Sequence, residues 1–302
     1  GRRGRGMTIT RVTLPSGIEL DVEDCGPRDA PALVFLHGFP ENRRTWRHQI
    51  AHFSDRFRCI APDQRGYAGS SKPEGPENYA AQLLVADIFQ MAEALGVKQF
   101  TIVGHDWGGA IAWAVALWGQ PGAPAGGRGT RAVIANAPHP ALFQHLLFTH
   151  EGQRLSSQYM RRFRDRALDP EVRRIGLKAV IGDAFGTPPP EPEERALREA
   201  QWADPDTAFG MLNWYRGSSL VVPPPEAPYE VPADYQPSPV PPLAIPTLVI
   251  WGMDDVALPP ANLDGLAGLV SDLKVVEVPG AGHFVPWEAP AAVTAAMEAF
   301  LG

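Results

Sequence analysis

Hydrophobic positions along this chain come in short unbroken runs, separated by longer stretches in which they recur at helical spacing. ALVFLHG (32–38) is the first such run, and its kind returns in RCIAPD (58–63), QFTIVGH (99–105), RAVIANAP (131–138), PTLVIWG (246–252) and LKVVEVPG (273–280). A short apolar run without polar alternation suits a strand covered on both faces, the usual condition of a parallel sheet. Between or after the runs, residues 79–96, 108–119 and 289–302 place apolar side chains on one helical face and close at glycine. Residues 11–24 alternate around a Pro-Ser-Gly turn and predict a hairpin. Strand alternating with helix predicts an α/β fold, with a mostly parallel sheet and helices on both faces.

The rhythm stops between residues 140 and 242. There the chain becomes arginine-rich and helical (GQRLSSQYMRRFRDRAL), passes TPPPEPEE, and ends in VVPPPEAPYEVPADYQPSPVPP. Helices inserted between two strands predict a cap over the strands' carboxyl ends. The proline tract is then a stiff strap leading back to the core, because proline fixes φ and favours extended chain. The organisation expected is a disordered leader at 1–10, a core at 11–139 and 243–302, and a cap at 140–242. GQPGAPAGGRGTR (119–131) reads as a surface loop.

Composition narrows the class. The chain has 302 residues, 44% of them hydrophobic, enough to bury a large core. A net charge of −7 argues against a nucleic-acid partner, and the basic GRRGRG stretch before Met7 reads as a leader. No apolar run approaches the ~18 residues of a membrane span, so a soluble, cytoplasmic protein is expected. Cys25 and Cys59 are too few for a disulfide scaffold or a cysteine zinc site and read as buried free thiols.

The chemistry centres on GHDWGG (104–109). Gly104, Gly108 and Gly109 allow a tight strand-to-helix turn that pushes Asp106 outward and aims the Trp107 amide beside the helix N-terminus, where it can stabilise an anion. A helix N-cap is the competing reading of Asp106. Against it stand partners in the order nucleophile, acid, histidine: Asp254 or Asp255 after PTLVIWG, and His283 in the AGH turn after LKVVEVPG. The spacing Gly252, Asp255, Pro259 favours Asp255. A carboxylate attacking an ester would form a more reactive anhydride; attacking a saturated electrophilic carbon, it forms an ordinary ester. His283, oriented by Asp255, can then activate water against that ester, and HGFP (37–40) offers the Phe39 amide as a second oxyanion donor. Epoxides and alkyl halides are the substrates such a nucleophile serves.

These motifs resemble the α/β-hydrolase superfamily and, within it, the soluble epoxide hydrolases, from about Thr10 to the end. The resemblance rests on HGFPENRRTWRHQ (37–49), APDQRGYAGSSKP (61–73), VGHDWGG (103–109), NAPHP (136–140), LNWYR (212–216), WGMDDVALP (251–259) and GAGHFVPWEAP (280–290). It implies an α/β-hydrolase fold and a cofactor-free, metal-free enzyme that opens an epoxide to a vicinal diol through an aspartyl ester. A small-molecule epoxide and water are its partners, and a homodimer is left open. It also implies two cap tyrosines that protonate the oxirane oxygen. LNWYR matches the segment carrying one, Tyr215, and SSQYMRRFR matches less closely the segment carrying the other, Tyr159. Of the six tyrosines these two fall in helical cap segments. The competing reading of each is an amphipathic residue at the cap interface.

A haloalkane or haloacid dehalogenase is the alternative, with Trp107 and either Trp202 or Trp214 as halide donors. Against it, Phe39 stands where many dehalogenases carry Asn, Asn136 is not ionisable, and Trp107 stands where fluoroacetate-cleaving relatives carry Arg. A non-catalytic binding protein on the same fold is a further alternative. The family also implies a cis bond before Pro40. His37, Pro40, Phe209, Met211 and Leu212 are expected at the substrate pocket with Phe39 and Trp107. Asp63 and Arg65 are expected to order a loop, and His105 to pack behind the nucleophile.

Overall fold

The computed structural model describes residues 9–182 and 189–302, so the GRRGRG leader and the start of TPPPEPEE lie outside the described residues. Eight strands form one sheet: β1 (Ile9–Thr13), β2 (Glu19–Cys25), β3 (Ala32–Leu36), β4 (Arg58–Pro62), β5 (Phe100–His105), β6 (Gly129–Ala135), β7 (Thr247–Gly252) and β8 (Leu273–Val278), in the order β1-β2-β4-β3-β5-β6-β7-β8. The hairpin β1/β2 joins β4 antiparallel, and every pairing from β4 onward is parallel. Ile9 and Thr10, assigned to the leader from sequence, already pair in β1.

Strand residues alternate between two apolar layers, as the pleat requires. Leu33 and Phe35 of β3 face one way, towards the helices α1 (Arg47–Phe53) and, near the C-terminus, α12 (Pro290–Leu301). Val34 and Leu36 face the other way, towards α2 (Ala81–Ala94) and α3 (Trp107–Gly119). β3, β4, β5 and β7 are buried on both faces, as is β6 from Ala132 onward, which explains their apolar runs. β8 differs. It pairs only with β7 and leaves Lys274, Val275 and Glu277 exposed, so its apolar run marks a sheet edge.

Between β6 and β7 lie α4 (Pro140–Thr149), α5 (Glu151–Ser156), α6 (Gln158–Phe163), α7 (Asp169–Ile175), α8 (Lys178–Ile181), α9 (Pro192–Ala203) and α10 (Pro205–Arg216). α11 (Val285–Glu288) precedes α12. Residues 217–242 form neither helix nor strand. Prolines there lack N–H donors, so side chains of the flanking helices hold the segment by its carbonyls. Gln144 pairs both ways with the Val221 backbone (2.9 Å each), Gln158 donates to the Pro223 carbonyl (2.9 Å), and Gln120 to that of Pro242 (3.0 Å). Arg154 is fully buried and donates to four carbonyls, those of Leu147 and Phe148 on α4 and of Ala227 and Pro228 on the strap, with the Tyr229 ring 4.0 Å away. Cys59 is buried and Cys25, its cross-strand partner, only half-buried; both are free thiols.

Candidate active site

Asp106 sits between β5 and α3 with φ of +55°, a left-handed conformation uncommon for a residue with a Cβ. The surroundings enforce it. A Cβ on Gly108 would fall 2.3 Å from the His37 carbonyl, and one on Gly38 would fall 2.3 Å from the Asp106 Cβ. Backbone at the end of β3 and the start of α3 therefore approaches the nucleophile turn as closely as atoms allow.

The structure brings Asp106, Asp255 and His283 together. His283 Nε2 lies 2.8 Å from Asp106 Oδ1, and its Nδ1 lies 2.7 Å from Asp255 Oδ2. Asp255 is buried after β7, and its other oxygen accepts from the amides of Ala257 (2.8 Å) and Leu258 (2.9 Å); Asp254 is exposed. Asp106 Oδ2 accepts from the Phe39 amide at 2.9 Å, beside the cis bond to Pro40. The Trp107 amide, first in α3, makes no bond to the carboxylate in this resting geometry. The position of an oxyanion differs from that of the ground-state oxygen, so this does not remove Trp107 as a donor.

Burial works against the charge on all three groups, and mutual attraction overrides it. Burial raises Asp106 and Asp255, yet the hydrogen bonds and charge of His283 leave both below the ordinary carboxylate range. Burial lowers His283, but Asp255, with the bonds to Asp106 and Asp255, holds it well above the ordinary imidazole value. The resting site is an imidazolium held between two carboxylates.

Tyr159 and Tyr215 face the same cavity as Asp106. Tyr215 is buried, its ring 6.1 Å from Tyr159, 5.3 Å from Trp107 and 5.0 Å from Phe39, each packed edge to face. Burial first, and the Asp106 charge among other neighbours, hold both well above the ordinary phenol value, so both keep their protons. Tyr215 owes its place to the seat of α10. Trp214 Nε1 donates to the Arg65 carbonyl (2.8 Å), Arg65 pairs with Asp87 (2.9 and 2.7 Å), and a Cβ on Gly210 would meet the Gly66 carbonyl at 2.4 Å. Asp63 binds Arg43 through its amide (2.8 Å) and guanidinium (2.9 Å) and does not line the cavity.

The cavity is about 600 Å³. One wall is a face of α3 at helical spacing, Trp107, Ala110, Ile111 and Ala114; α4 supplies Phe143 and Phe148; the strap supplies Val231, Tyr235 and Val240. The lining differs from the pocket residues that the sequence led us to expect. His37, Phe39, Pro40, Phe209, Met211 and Leu212 lie outside the lining, while Trp107 is part of it. His37 is buried behind the loop, its Nδ1 3.0 Å from the Gly38 carbonyl and its Nε2 accepting from the Gln64 amide (3.0 Å). The Pro40 carbonyl is taken by Trp202 Nε1 (2.7 Å), Phe209 lies under Arg173 (5.2 Å), and Met211 and Leu212 are interior residues of α10. The strap, read from sequence as a return path, is a wall of the pocket.

Two further residues position the triad; the sequence assigns His105 a place behind the nucleophile and gives Asn136, in NAPHP, no role. Asn136, with φ of +39°, donates to Asp255 Oδ2 (2.8 Å) and to the Gly252 carbonyl (3.1 Å), and accepts from the Gly252 amide (2.6 Å). His105 bonds through Nε2 to the His283 carbonyl at 2.6 Å, fixing the histidine turn from beneath.

The sequence profile of the α/β-hydrolase fold family matches residues 31–120 and 124–290. The chain belongs to that family. Among relatives, it is 30% identical to Epoxide hydrolase A of Mycobacterium tuberculosis over 98% of each chain. It is 29% identical to Epoxide hydrolase 3 of Mus musculus, spanning 96% of this chain and 77% of that one. A solved structure among novel epoxide hydrolases from metagenomes of hot environments shares 58% identity and superposes with a TM-score of 0.94, covering 98% of this chain and 99% of the other. An epoxide hydrolase from Bacillus megaterium, complexed with a naphthyloxy propanediol product, shares 28% identity at a TM-score of 0.78, covering 97% and 99%.

Proposed function

We propose that this epoxide hydrolase opens its substrate in two steps at Asp106. Asp106 Oδ1 attacks an oxirane carbon, the C–O bond breaks, and Tyr159 and Tyr215 hydrogen-bond the departing oxygen, one of them transferring its proton. Asp106 Oδ2, bonded to the Phe39 amide, remains as the ester carbonyl oxygen, where the amides of Phe39 and Trp107 meet the developing oxyanion. Esterification removes the charge of Asp106. His283 then has one carboxylate partner instead of two and gives up its proton, restoring the phenol that was spent; the neutral imidazole takes a proton from the water that attacks the ester carbonyl, and collapse of the tetrahedral intermediate expels the diol oxygen, which leaves with the remaining water proton. The diol leaves and Asp106 is regenerated.

The observation that carries this reading is the pair of phenols on the cavity that Asp106 opens into. An alkoxide leaves poorly without a proton, whereas a halide needs none. The two other indoles considered as halide donors, Trp202 and Trp214, spend their N–H groups on the carbonyls of Pro40 and Arg65. That disfavours dehalogenation. The helices α4 to α10 with their strap act as the cap over the site. Among the described residues no helix is long and apolar enough to cross a membrane. Two free thiols fit a reducing compartment, and the reading keeps the cytoplasmic location.

Single turnover in ¹⁸O-labelled water tests the ester route. The label is expected in Asp106 after the first turnover; label found only in the diol at that stage would exclude the ester.

A further inference from the structure

The cavity is much larger than the epoxide ring that Asp106 must meet, and its chemistry is one-sided. Its lining includes Ile111, Phe143, Met160, Leu220, Val240 and Leu258. Among the described residues the lining contains no Lys, Arg or Glu, and Asp106 is its one acid. The polar side chains around the wider space are the neutral Gln144, Ser218, Ser219 and Ser238, and His145, which is exposed. Gln144 is already committed to the Val221 backbone. The strap contributing Val231, Tyr235, Pro237 and Ser238 carries Glu226, Glu230 and Asp234 and no basic residue between 219 and 245.

A carboxylate at the far end of a substituent therefore finds no Lys or Arg along the wall, and the strap segment that contributes to that wall is acidic. Moving an unpaired anion off water onto such a surface is unfavourable, and the negative field opposes its approach. An apolar substituent gains free energy with each methylene it buries there. Resting on the epoxide-opening reading, we infer that the site selects uncharged epoxides bearing one large apolar substituent and discriminates against epoxides whose substituent ends in a carboxylate. The reacting carbon sits at Asp106 beneath the phenols, and the substituent lies along the α3 face towards α4 and the strap.

Steady-state kinetics on the whole protein test this with ω-epoxyoctanamide and its near-isosteric acid, ω-epoxyoctanoate, at neutral pH. Styrene oxide and propylene oxide serve as uncharged references of different apolar size. The amide is expected to exceed the acid at least about tenfold in kcat/KM, carried by KM, because a tenfold ratio corresponds to only about 1.4 kcal/mol. Styrene oxide is expected to show the lower KM of the two references. Ser219→Lys, on the exposed part of the wall and outside the catalytic machinery, should narrow the gap between amide and acid while leaving styrene oxide unchanged. An acid turned over as well as the amide overturns the inference, as does a propylene oxide KM as low as that of styrene oxide. Failure to consume any of the four epoxides would instead remove the epoxide-opening reading on which the inference stands.

Discussion

Asn136 and Asp255 share a hydrogen bond of 2.8 Å, made to the same Asp255 oxygen that holds His283 at 2.7 Å. Asn136 also closes a two-way contact with the Gly252 backbone at the end of β7. It thus ties the acid's loop to the neighbouring strand β6 and fixes the Asp255 oxygen that His283 must find. Asn136→Leu would leave the Gly252 amide buried without its partner and the Gly252 carbonyl with only the long 3.4 Å bond from the Asp255 amide, and a buried unsatisfied group costs about 1–3 kcal/mol. The expected outcome is a lower melting temperature, together with slower hydrolysis of the Asp106 ester and little change in its formation. Stopped-flow measurement of the two steps separates them; equal slowing of both would show that Asn136 does not act through Asp255.

His283 reaches both carboxylates, so its removal should split the cycle. His283→Gln retains the size of the ring but supplies no base. Ester formation continues and ester hydrolysis stops, so the protein gains the mass of one epoxide after brief incubation. Intact-mass spectrometry checks this, with Asp106→Asn as the control that gains nothing.

The two phenols act in the opposite half-reaction. Tyr215→Phe should slow ester formation by about 10²-fold or more, within the 10²–10⁴ typical of a positioned acid. Tyr159→Phe should be milder if the remaining phenol can still transfer a proton, and the double variant should lose more than either. Ester hydrolysis, measured on pre-formed intermediate, should stay within about twofold, because the oxirane oxygen has by then become a free hydroxyl. A Tyr215 variant that slows hydrolysis but not formation contradicts the assigned role.

The legibility of this molecule follows from where its information is stored. The sheet could be read because β3 to β7 are buried on both faces over most of their length, so their sequence there has little choice but to be apolar. The nucleophile turn was visible through glycines that no other residue can replace at such close approach. β8 misled because an edge strand with the same residue types is half uncovered. The pocket wall was illegible for a different reason. Phe209, Met211 and Leu212 are close in sequence to Tyr215, but helical rotation turns them into the packing of α10, and the true wall comes from α3, α4 and a proline strap far away in sequence. Asn136 acts through three hydrogen bonds and His105 through one, all made across the fold, and local pattern does not show which partners they reach.

Arg154 is the residue on which the strap's position depends most. It is fully buried, its hydrogen-bond acceptors are four carbonyls, and no carboxylate is among them. Hydrogen bonds to a charged group contribute about 1.5–3 kcal/mol each, although they do not add simply. Arg154→Met fills similar space and breaks all four. The melting temperature should fall by several degrees, and susceptibility to proteolysis within 217–242 should rise before global unfolding. A variant with unchanged melting and unchanged cleavage in that segment would show the strap to be held by Gln144, Gln158 and Gln120 alone.

Acid should weaken the fold through three buried imidazoles. Burial is the largest cause in each case, pushing His37, His105 and His139 down to about 4. An unfolded chain protonates these groups near their ordinary value of about 6.5, so between about 6.5 and 4 the unfolded state binds more protons than the folded one. Stability conferred by keeping them neutral is complete above that window and drains as the pH falls through it, at up to about 1.4 kcal/mol per pH unit for each histidine. His105→Gln keeps a side-chain donor near the His283 carbonyl and does not titrate. Its stability at neutral pH should be somewhat below that of the parent, since an amide does not match the ring geometry of the 2.6 Å bond, but its decline between those limits should be shallower by one histidine's share. Chemical denaturation at a series of pH values measures that slope, and parallel curves for parent and variant would show that His105 titrates alike in the folded and unfolded chains.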